Sequence, residues 1–405
     1  MTSELSNFAA RLREFIQGRD AALRRPVGAA RRPCQKSEFD SFALELFELQ
    51  FKHNAAYRKI CKARGLTPNV VEHWTRIPAV PTAAFKELEM TCLSPGERTS
   101  VFHSSGTTEQ KPSRHFHNAE SLKIYEASLL PWFFENVVPD LRFTIYDLRL
   151  ICLTPPPAQA PHSSLVHMFE TVRQKIGASE SVFVGKIAAD GSWTLDFAAV
   201  LAALFPKSQT QDPGPHLLLG TAFSFVHLLD FLVGKNLRFD LPAGSRVMET
   251  GGYKNHSRSM PKTELHALIT ERLGVPPENI ICEYGMSELS SQAYDSVAAD
   301  DWRVTGKSGA SCHLSPVTRH FEFPPWARVQ IVSPENGREV ADGETGLIRI
   351  FDLANVFSVV AIQTEDLGIR RGEGFELIGR AQRAEPRGCS LMSHPALRTP
   401  HSALR

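Results

Sequence analysis

Val101-Phe-His-Ser-Ser-Gly-Thr-Thr-Glu-Gln-Lys-Pro112 sets two apolar residues ahead of a run of small hydroxyl side chains, a glycine and a lysine. Gly106 can take the positive φ of a tight, anion-cradling turn. Successive backbone N–H groups in such a turn make a nest for phosphate oxygens, and Ser104, Ser105, Thr107 and Thr108 add hydroxyl donors. Lys111 brings a positive charge suited to a polyphosphate. The spacing is not GxxxxGK[ST], so the stretch is no Walker loop, and its composition also suits an ordinary surface loop. The chain on either side has to separate these readings.

Upstream, Phe39, Phe42, Leu46, Leu49, His53, Tyr57 and Ile60 recur at steps of three and four, which predicts one amphipathic helix ended by Gly65. Residues 1–32 are rich in arginine but interrupted by Glu4, Glu14 and Asp20, and are read as a solvated, partly helical arm with no secretory signal. The prolines of Ile77-Pro-Ala-Val-Pro81 predict an extended passage toward the loop. Downstream, His117–Leu130 reads as a helix that Pro131 should end or kink. Apolar strands at Leu148–Thr154, Val182–Ala188, His216–Gly220, Arg246–Glu249 and Asn279–Tyr284 then alternate with helices at Ser163–Ile176, 194–205, Phe223–Val233 and Lys262–Leu273. Such alternation, with strands lacking a polar face, predicts a sheet covered on both sides. After residue 300 strands are expected at Trp326–Val332, Gly346–Phe351 and Val356–Ile362, the first two joined through Asn336-Gly337 and Asp342-Gly343 as a hairpin.

At 405 residues the chain has ample length for a large core. Its 45 basic and 44 acidic residues nearly cancel, so no overall field favours nucleic acid. No apolar run approaches the roughly 20 residues of a membrane span. The seven cysteines show no CxxC spacing, which argues for reduced thiols in a cytoplasmic protein and against a disulfide framework or a zinc site.

Three further motifs follow the loop in order. Met248-Glu-Thr-Gly-Gly252 ends a strand with Gly251 and Gly252, where a ligand can approach the backbone closely. Ile281-Cys-Glu-Tyr-Gly-Met-Ser-Glu288 places Tyr284, Gly285, Ser287 and Glu288 on a turn after an apolar strand. It offers a ring for a purine, a hydroxyl for a phosphate and a carboxylate for Mg²⁺. Thr364-Glu-Asp-Leu-Gly368 precedes an expected hairpin from Gly372 to Ile378 and then Gly379-Arg380.

The four together resemble, in order, the motifs of the adenylate-forming acyl and aryl ligases: [ST]SGTTGxPK, a paired glycine, YGx[ST]E and TGDLG…GR. The resemblance implies that Asp366 takes the ribose hydroxyls, that Arg380 assists, and that ATP and Mg²⁺ are used. Glu109 and Glu365 stand where the family has glycine, and Lys111 precedes its proline instead of following it. In the general family a further domain with an essential lysine follows the GR hinge. Here only a short tail follows Arg380, so the full C-terminal domain is expected to be lacking.

One branch is similar over most of residues 40–392, the acyl-protein synthetases. The likeness lies in the amphipathic helix, Ile-Pro-x-x-Pro followed by Phe-Lys, HSSGTT, EYGMSELSSQAY at 283–294 and Arg-Gly-Cys-Ser-Leu at 387–391. It implies that a long-chain fatty acid is adenylated and the acyl group then passes to a cysteine near the C-terminus, here Cys389, for delivery to a protein partner such as an acyl reductase. The tail before Cys389 carries Arg380, Arg383 and Arg387, whose charges lower a thiol pKa.

The fold expected is α/β, organised as an arm (1–38), an α/β adenylation core (39–300), a β-rich subdomain completing the nucleotide site (301–380) and a tail (381–405). Lys111, Glu288 and Cys389 are the expected catalytic residues. Two other readings stay open: transfer to a soluble thiol such as coenzyme A, for which Cys389 is dispensable, and a nucleotide-binding scaffold without catalysis.

Overall fold

The computed structural model describes residues 3–23, 36–104, 111–139, 148–177, 181–205, 214–251, 260–297 and 319–381. In chain order the helices are α1 (Ser3–Leu23), α2 (Lys36–His53), α3 (Ala55–Ala63), α4 (Ala84–Glu87), α5 (Ala119–Asn136), α6 (Ser164–Ile176), α7 (Phe197–Leu204), α8 (Ala222–Gly234) and α9 (Lys262–Leu273). The strands of the first half are β1 (Val80–Pro81), β2 (Ser100–His103), β3 (Arg114–His117), β4 (Arg149–Cys152), β5 (Val182–Phe183), β6 (Gly185–Ile187) and β7 (Trp193–Leu195). Those of the second half are β8 (His216–Thr221), β9 (Arg246–Thr250), β10 (Ile280–Tyr284), β11 (Ala293–Val297), β12 (Arg319–Glu322), β13 (Ala327–Val332), β14 (Thr345–Asp352), β15 (Ala361–Arg371) and β16 (Gly374–Arg380).

Twelve strands among the described residues share one mixed sheet, ordered β13-β14-β15-β16-β12-β11-β10-β9-β8-β4-β5, with β1 parallel to β15. From β5 through β4, β8 and β9 to β10 the pairing is parallel, as helical crossovers allow. Every residue of β8 is buried, the mark of a strand covered on both faces. Leu217 and Leu219 pack into one apolar cluster and Leu218 into the other, so the alternation of the strand divides the core. The stretch between β10 and β11 is too short for the crossover of a dozen or more residues that a parallel neighbour requires, so β11 returns antiparallel. The β-rich strands therefore continue the same sheet, and the reversal falls at Gly285–Gln292, inside the third motif.

Several expectations need correction. Residues 3–23 are no solvated arm: Leu5, Phe8, Leu12 and Ile16 of α1 are buried, and Ser6 Oγ donates to Glu120 Oε2 of α5 at 3.0 Å. The helix expected from Phe39 through Ile60 is two. Asn54 is fully buried between α2 and α3, its side chain accepting from Tyr57 N at 3.0 Å to cap α3. Pro131 sits inside α5, which runs on to Asn136. Burial of Trp132 and Phe133 beyond it outweighs the roughly 3 kcal/mol that an interior proline costs. Val182–Ala188 is divided between β5, in the large sheet, and β6, which pairs with β7.

The strand expected at Val356–Ile362 starts only at Ala361. The buried segment before it finds side-chain partners for its backbone: Gln50 Nε2 donates to Asn355 O at 2.8 Å, and Gln50 Oε1 accepts from Val360 N at 2.8 Å. Thr91 Oγ1 donates to Phe357 O at 3.2 Å and Asn54 Nδ2 to Ser358 O at 3.2 Å. Side chains of Gln50 in α2, Asn54 at the α2–α3 junction and Thr91 beyond α4 thus replace a ladder, as buried peptide groups require. The Thr364–Gly368 motif lies within β15 itself, which forms the hairpin with β16.

Candidate active site

Side chains of the third and fourth motifs meet although their strands β10 and β15 are not neighbours in the sheet. Tyr284, at the end of β10, is buried against the rings of Phe321, Phe323 and Phe375. Its hydroxyl donates to Asp366 Oδ2 at 2.9 Å. Burial and the charge of Asp366 push the phenol well above its ordinary range, so it serves as a donor. In the β15–β16 hairpin Asp366 pairs with Arg380, whose Nε donates to Asp366 Oδ1 at 3.3 Å. Asp366 N donates to Thr364 Oγ1 at 3.1 Å, and Arg380 Nη2 lies 3.9 Å from Glu365 Oε2. Tyr284 of the third motif and Asp366 and Arg380 of the fourth form one contiguous group.

The second group sits beside β2 and β3, the strands that flank the expected phosphate loop. β2 and β3 pair with His103 opposite Arg114, so the loop between them is closed by a hairpin. Ser113 N donates to Ser104 Oγ at 3.0 Å across its neck. Ser113 Oγ lies 3.4 Å from Ser287 Oγ, which donates to Glu288 Oε2 at 3.0 Å. His115 Nδ1 is 2.9 Å from Ser287 O, and Asn355 Nδ2 donates to Glu288 O at 3.0 Å. Burial holds the His115 imidazole down to about 4, against a partial rise from its bond to Ser287, so the ring is neutral with Nδ1–H as donor. Ser290 N and Ser291 N both donate to Asp352 Oδ2, at 2.9 and 2.8 Å, which fastens the turn after Glu288 to the end of β14.

Gly251 adopts φ +76°, which favours glycine at this strand end. A Cβ on Gly285 would collide with Glu283 Oε1, so the Glu283 carboxyl would have to shift to admit a side chain. Burial raises the Glu283 carboxyl to about 7, and Thr250 Oγ1 donates to it. Lys111 stands apart: its Nζ lies 3.7 Å from Glu87 Oε2 with the side chain half exposed. Arg114 Nη1 is 3.9 Å from Glu89 Oε1. Ser105, Gly106, Thr107, Thr108, Gly252 and Cys389 lie outside the described residues.

Ser113, His115, Glu283, Asp352 and Asn355 were not singled out from the sequence. Among the described residues, no helix is long and apolar enough to cross a membrane.

The family model for the acyl-protein synthetases, LuxE, matches residues 29–397. The chain belongs to that family. As an acyl-protein synthetase it is an ATP-dependent, AMP-forming ligase. It is 22% identical over 355 residues to the long-chain-fatty-acid–luciferin-component ligase of Vibrio harveyi, covering 85% of this chain and 84% of that one. The protein of the same name from Aliivibrio fischeri is 23% identical over 370 residues, 88% of each chain. Among solved structures, a 2-hydroxyisobutyryl-CoA ligase in an open conformation, bound to 2-HIB-AMP and CoA, superposes with a TM-score of 0.60 at 13% identity. The match covers 88% of this synthetase and 74% of that chain. The same ligase in its postadenylation state gives 0.58 at 15% identity, covering 88% and 72%. These likenesses show that the synthetase has the adenylate-forming ligase fold.

Proposed function

We propose that this ligase activates a fatty acid as acyl-AMP and then carries the acyl group as a thioester on Cys389, from which a protein partner takes it. The observation that carries the reading is the convergence of the separate motifs. Tyr284, Asp366 and Arg380 form a carboxylate-centred group, and Ser287 and Glu288 meet the neck of the phosphate loop. In the first step a fatty carboxylate oxygen attacks the α-phosphorus of ATP and pyrophosphate leaves. In the second the thiolate attacks the acyl carbon and AMP leaves.

Asp366, oriented by Tyr284 and Arg380, would receive the ribose hydroxyls. Ser104 and the loop beyond it would hold phosphate oxygens through backbone N–H and hydroxyl donors. Glu288 and Ser287 offer hard oxygen donors side by side, the kind Mg²⁺ takes. A bound Mg²⁺ would offset phosphate charge during the displacement. Lys111, when drawn from Glu87, would add a second cation at the loop.

The described cysteines support the choice of Cys389 by their setting. Burial pushes the Cys61 thiol up to about 11 and raises Cys92, Cys152 and Cys282 as well, so all four are poor nucleophiles. The relatives named as luciferin-component ligases favour a long-chain fatty acid and a protein acceptor.

The test is intact mass spectrometry after incubation with ATP, Mg²⁺ and fatty acids of several lengths, repeated with Cys389→Ser. Wild type should gain a hydroxylamine-sensitive acyl mass, and the variant should lose it while keeping ATP–pyrophosphate exchange. Thioester labelling that persists in Cys389→Ser would move the acceptor elsewhere. Exchange without any acyl-protein would favour a soluble thiol.

A further inference from the structure

Beside the nucleotide site, and unused by it, three side chains from three elements turn toward one point. Glu249 on β9 stands opposite Cys282 on β10 in parallel register, so both side chains leave the sheet on the same face, toward α9. His266 on α9 meets them there. One donor atom from each lies within 4.8 Å of the other two. Cys282 Sγ donates to Glu249 Oε1 at 2.6 Å, Cys282 Sγ and His266 Nε2 are 3.7 Å apart, and His266 Nε2 lies 3.5 Å from Glu249 Oε1. Glu249 and Cys282 are 2% and 1% exposed. A carboxylate buried beside a thiol needs a cation, and the Lys262 ammonium supplies one at 3.7 Å from the same Oε1.

We propose that Glu249, His266 and Cys282 form a binding site for a zinc-class divalent cation, distinct from the Mg²⁺ assigned to Glu288. The spacing carries the proposal. A tetrahedral ion with a sulfur ligand at about 2.3 Å and nitrogen and oxygen ligands at about 2.0–2.1 Å sets sulfur and nitrogen about 3.6 Å apart and nitrogen and oxygen about 3.4 Å apart. The observed 3.7 and 3.5 Å agree with these separations. The remaining pair is close because the thiol donates to the carboxylate, and it opens by about 1 Å once that proton leaves. Metal binding releases the Cys282 proton to solvent, and thiolate plus carboxylate then balance the charge of a divalent ion. Lys262, whose ammonium also lies 5.1 Å from the Phe321 ring centroid, would give up its place beside Glu249 to the ion.

A thiolate and an imidazole select a borderline-soft ion over Mg²⁺. Three protein ligands leave one tetrahedral position for water. Gly251 and Tyr284 each lie two residues beyond a ligand, so the ion would pin the ends of β9 and β10 that present both nucleotide motifs. Sequence spacing did not reveal the site, since its donors come from two strands and a helix with no CxxC or HxxxH between them.

The experiment titrates chelator-treated, full-length protein with Co²⁺ and then Zn²⁺. One equivalent of Co²⁺ per chain should bind with a sulfur-to-cobalt charge-transfer band and intense tetrahedral d–d bands, and Zn²⁺ should displace it. Cys282→Ser should abolish the charge-transfer band. His266→Gln, on the partly exposed face of α9, should weaken binding at least about tenfold, and it carries the test should the buried serine variant fail to fold. Cys389→Ser should leave the spectrum unchanged. Absence of a thiolate–cobalt band in wild type overturns the proposal. So does a band that survives Cys282→Ser, or wild-type affinity in His266→Gln.

Discussion

Replacing His115 with glutamine should flatten the acid limb of the protein's stability. The imidazole is 2% exposed, its ring centroid lies 4.2 Å from that of His117, and its Nδ1 bonds Ser287 O at 2.9 Å. Burial holds its pKa down to about 4 from an ordinary 6.5. Above pH 6.5 neither the folded nor the unfolded chain protonates this residue, and its contribution to stability is complete. As pH falls below 6.5 the unfolded chain takes up a proton that the folded chain refuses until about pH 4. Each pH unit in that window costs about 1.4 kcal/mol, so the passage from pH 7 to pH 5 costs about 2 kcal/mol. With an unfolding entropy of about 2.1 cal/mol/K per residue, a chain of 405 residues loses about 2 °C in Tm for that amount.

Glutamine keeps a donor for Ser287 O but cannot take the proton. Glu283, raised by burial to about 7, has the opposite pH dependence, yet it is present in both proteins and cancels in the comparison. The assay is thermal unfolding of wild type and His115→Gln at pH 7 and pH 5. The variant's fall in Tm should be smaller by about 2 °C. Parallel losses in the two proteins would show that His115 is not held neutral by its burial.

Glu288→Gln keeps the shape of the turn but removes a charge, and should lower ATP–pyrophosphate exchange at least about tenfold, the effect of losing ~1.4 kcal/mol at the transition state. Unchanged exchange would move the metal role away from Glu288. Asp366→Ala should weaken ATP binding, measured by calorimetry, more than it slows turnover at saturation, since the ribose contact precedes the reaction and persists through it. Lys111 sits in an exposed ion pair with Glu87 that costs little to break, while Arg114 is part-buried, 3.9 Å from Glu89 and over the Phe116 ring. Lys111→Ala should depress adenylation more than Arg114→Ala, and the reverse ranking would reassign the cation.

The sequence was most legible where local pattern and tertiary environment agree. His216–Thr221 is apolar on both faces and is a central strand, and Lys262–Leu273 begins and ends where its pattern predicts. Tyr284, Asp366 and Arg380 were picked out through the resemblance to an ordered set of family motifs, and the fold brings the three side chains into contact. Features settled by distant partners were not legible. The arginines of α1 masked the Leu5, Phe8, Leu12 and Ile16 face that docks it. Pro131 carries a local penalty that only buried neighbours overcome. The segment before Ala361 looks like a strand, yet its peptide groups are claimed by Gln50, Asn54 and Thr91 from far upstream. His115 and Glu283 were missed because their significance lies in burial beside the site, not in residue type.

The parallel pairing of β1 with β15 has a consequence for how the protein is made. Val80 must wait for Ile362 to leave the ribosome before its edge can be closed, and Asp366 and Arg380 follow still later. The β2–β3 hairpin leaves the ribosome long before the Asp366 carboxylate that joins Tyr284. Contacts of such sequence separation form slowly and leave strand edges open meanwhile. A nascent chain stalled before residue 361 would therefore carry the β2–β3 hairpin without Asp366 and Arg380, and would leave the edges of β12 and β14 unpaired until β15 and β16 arrive.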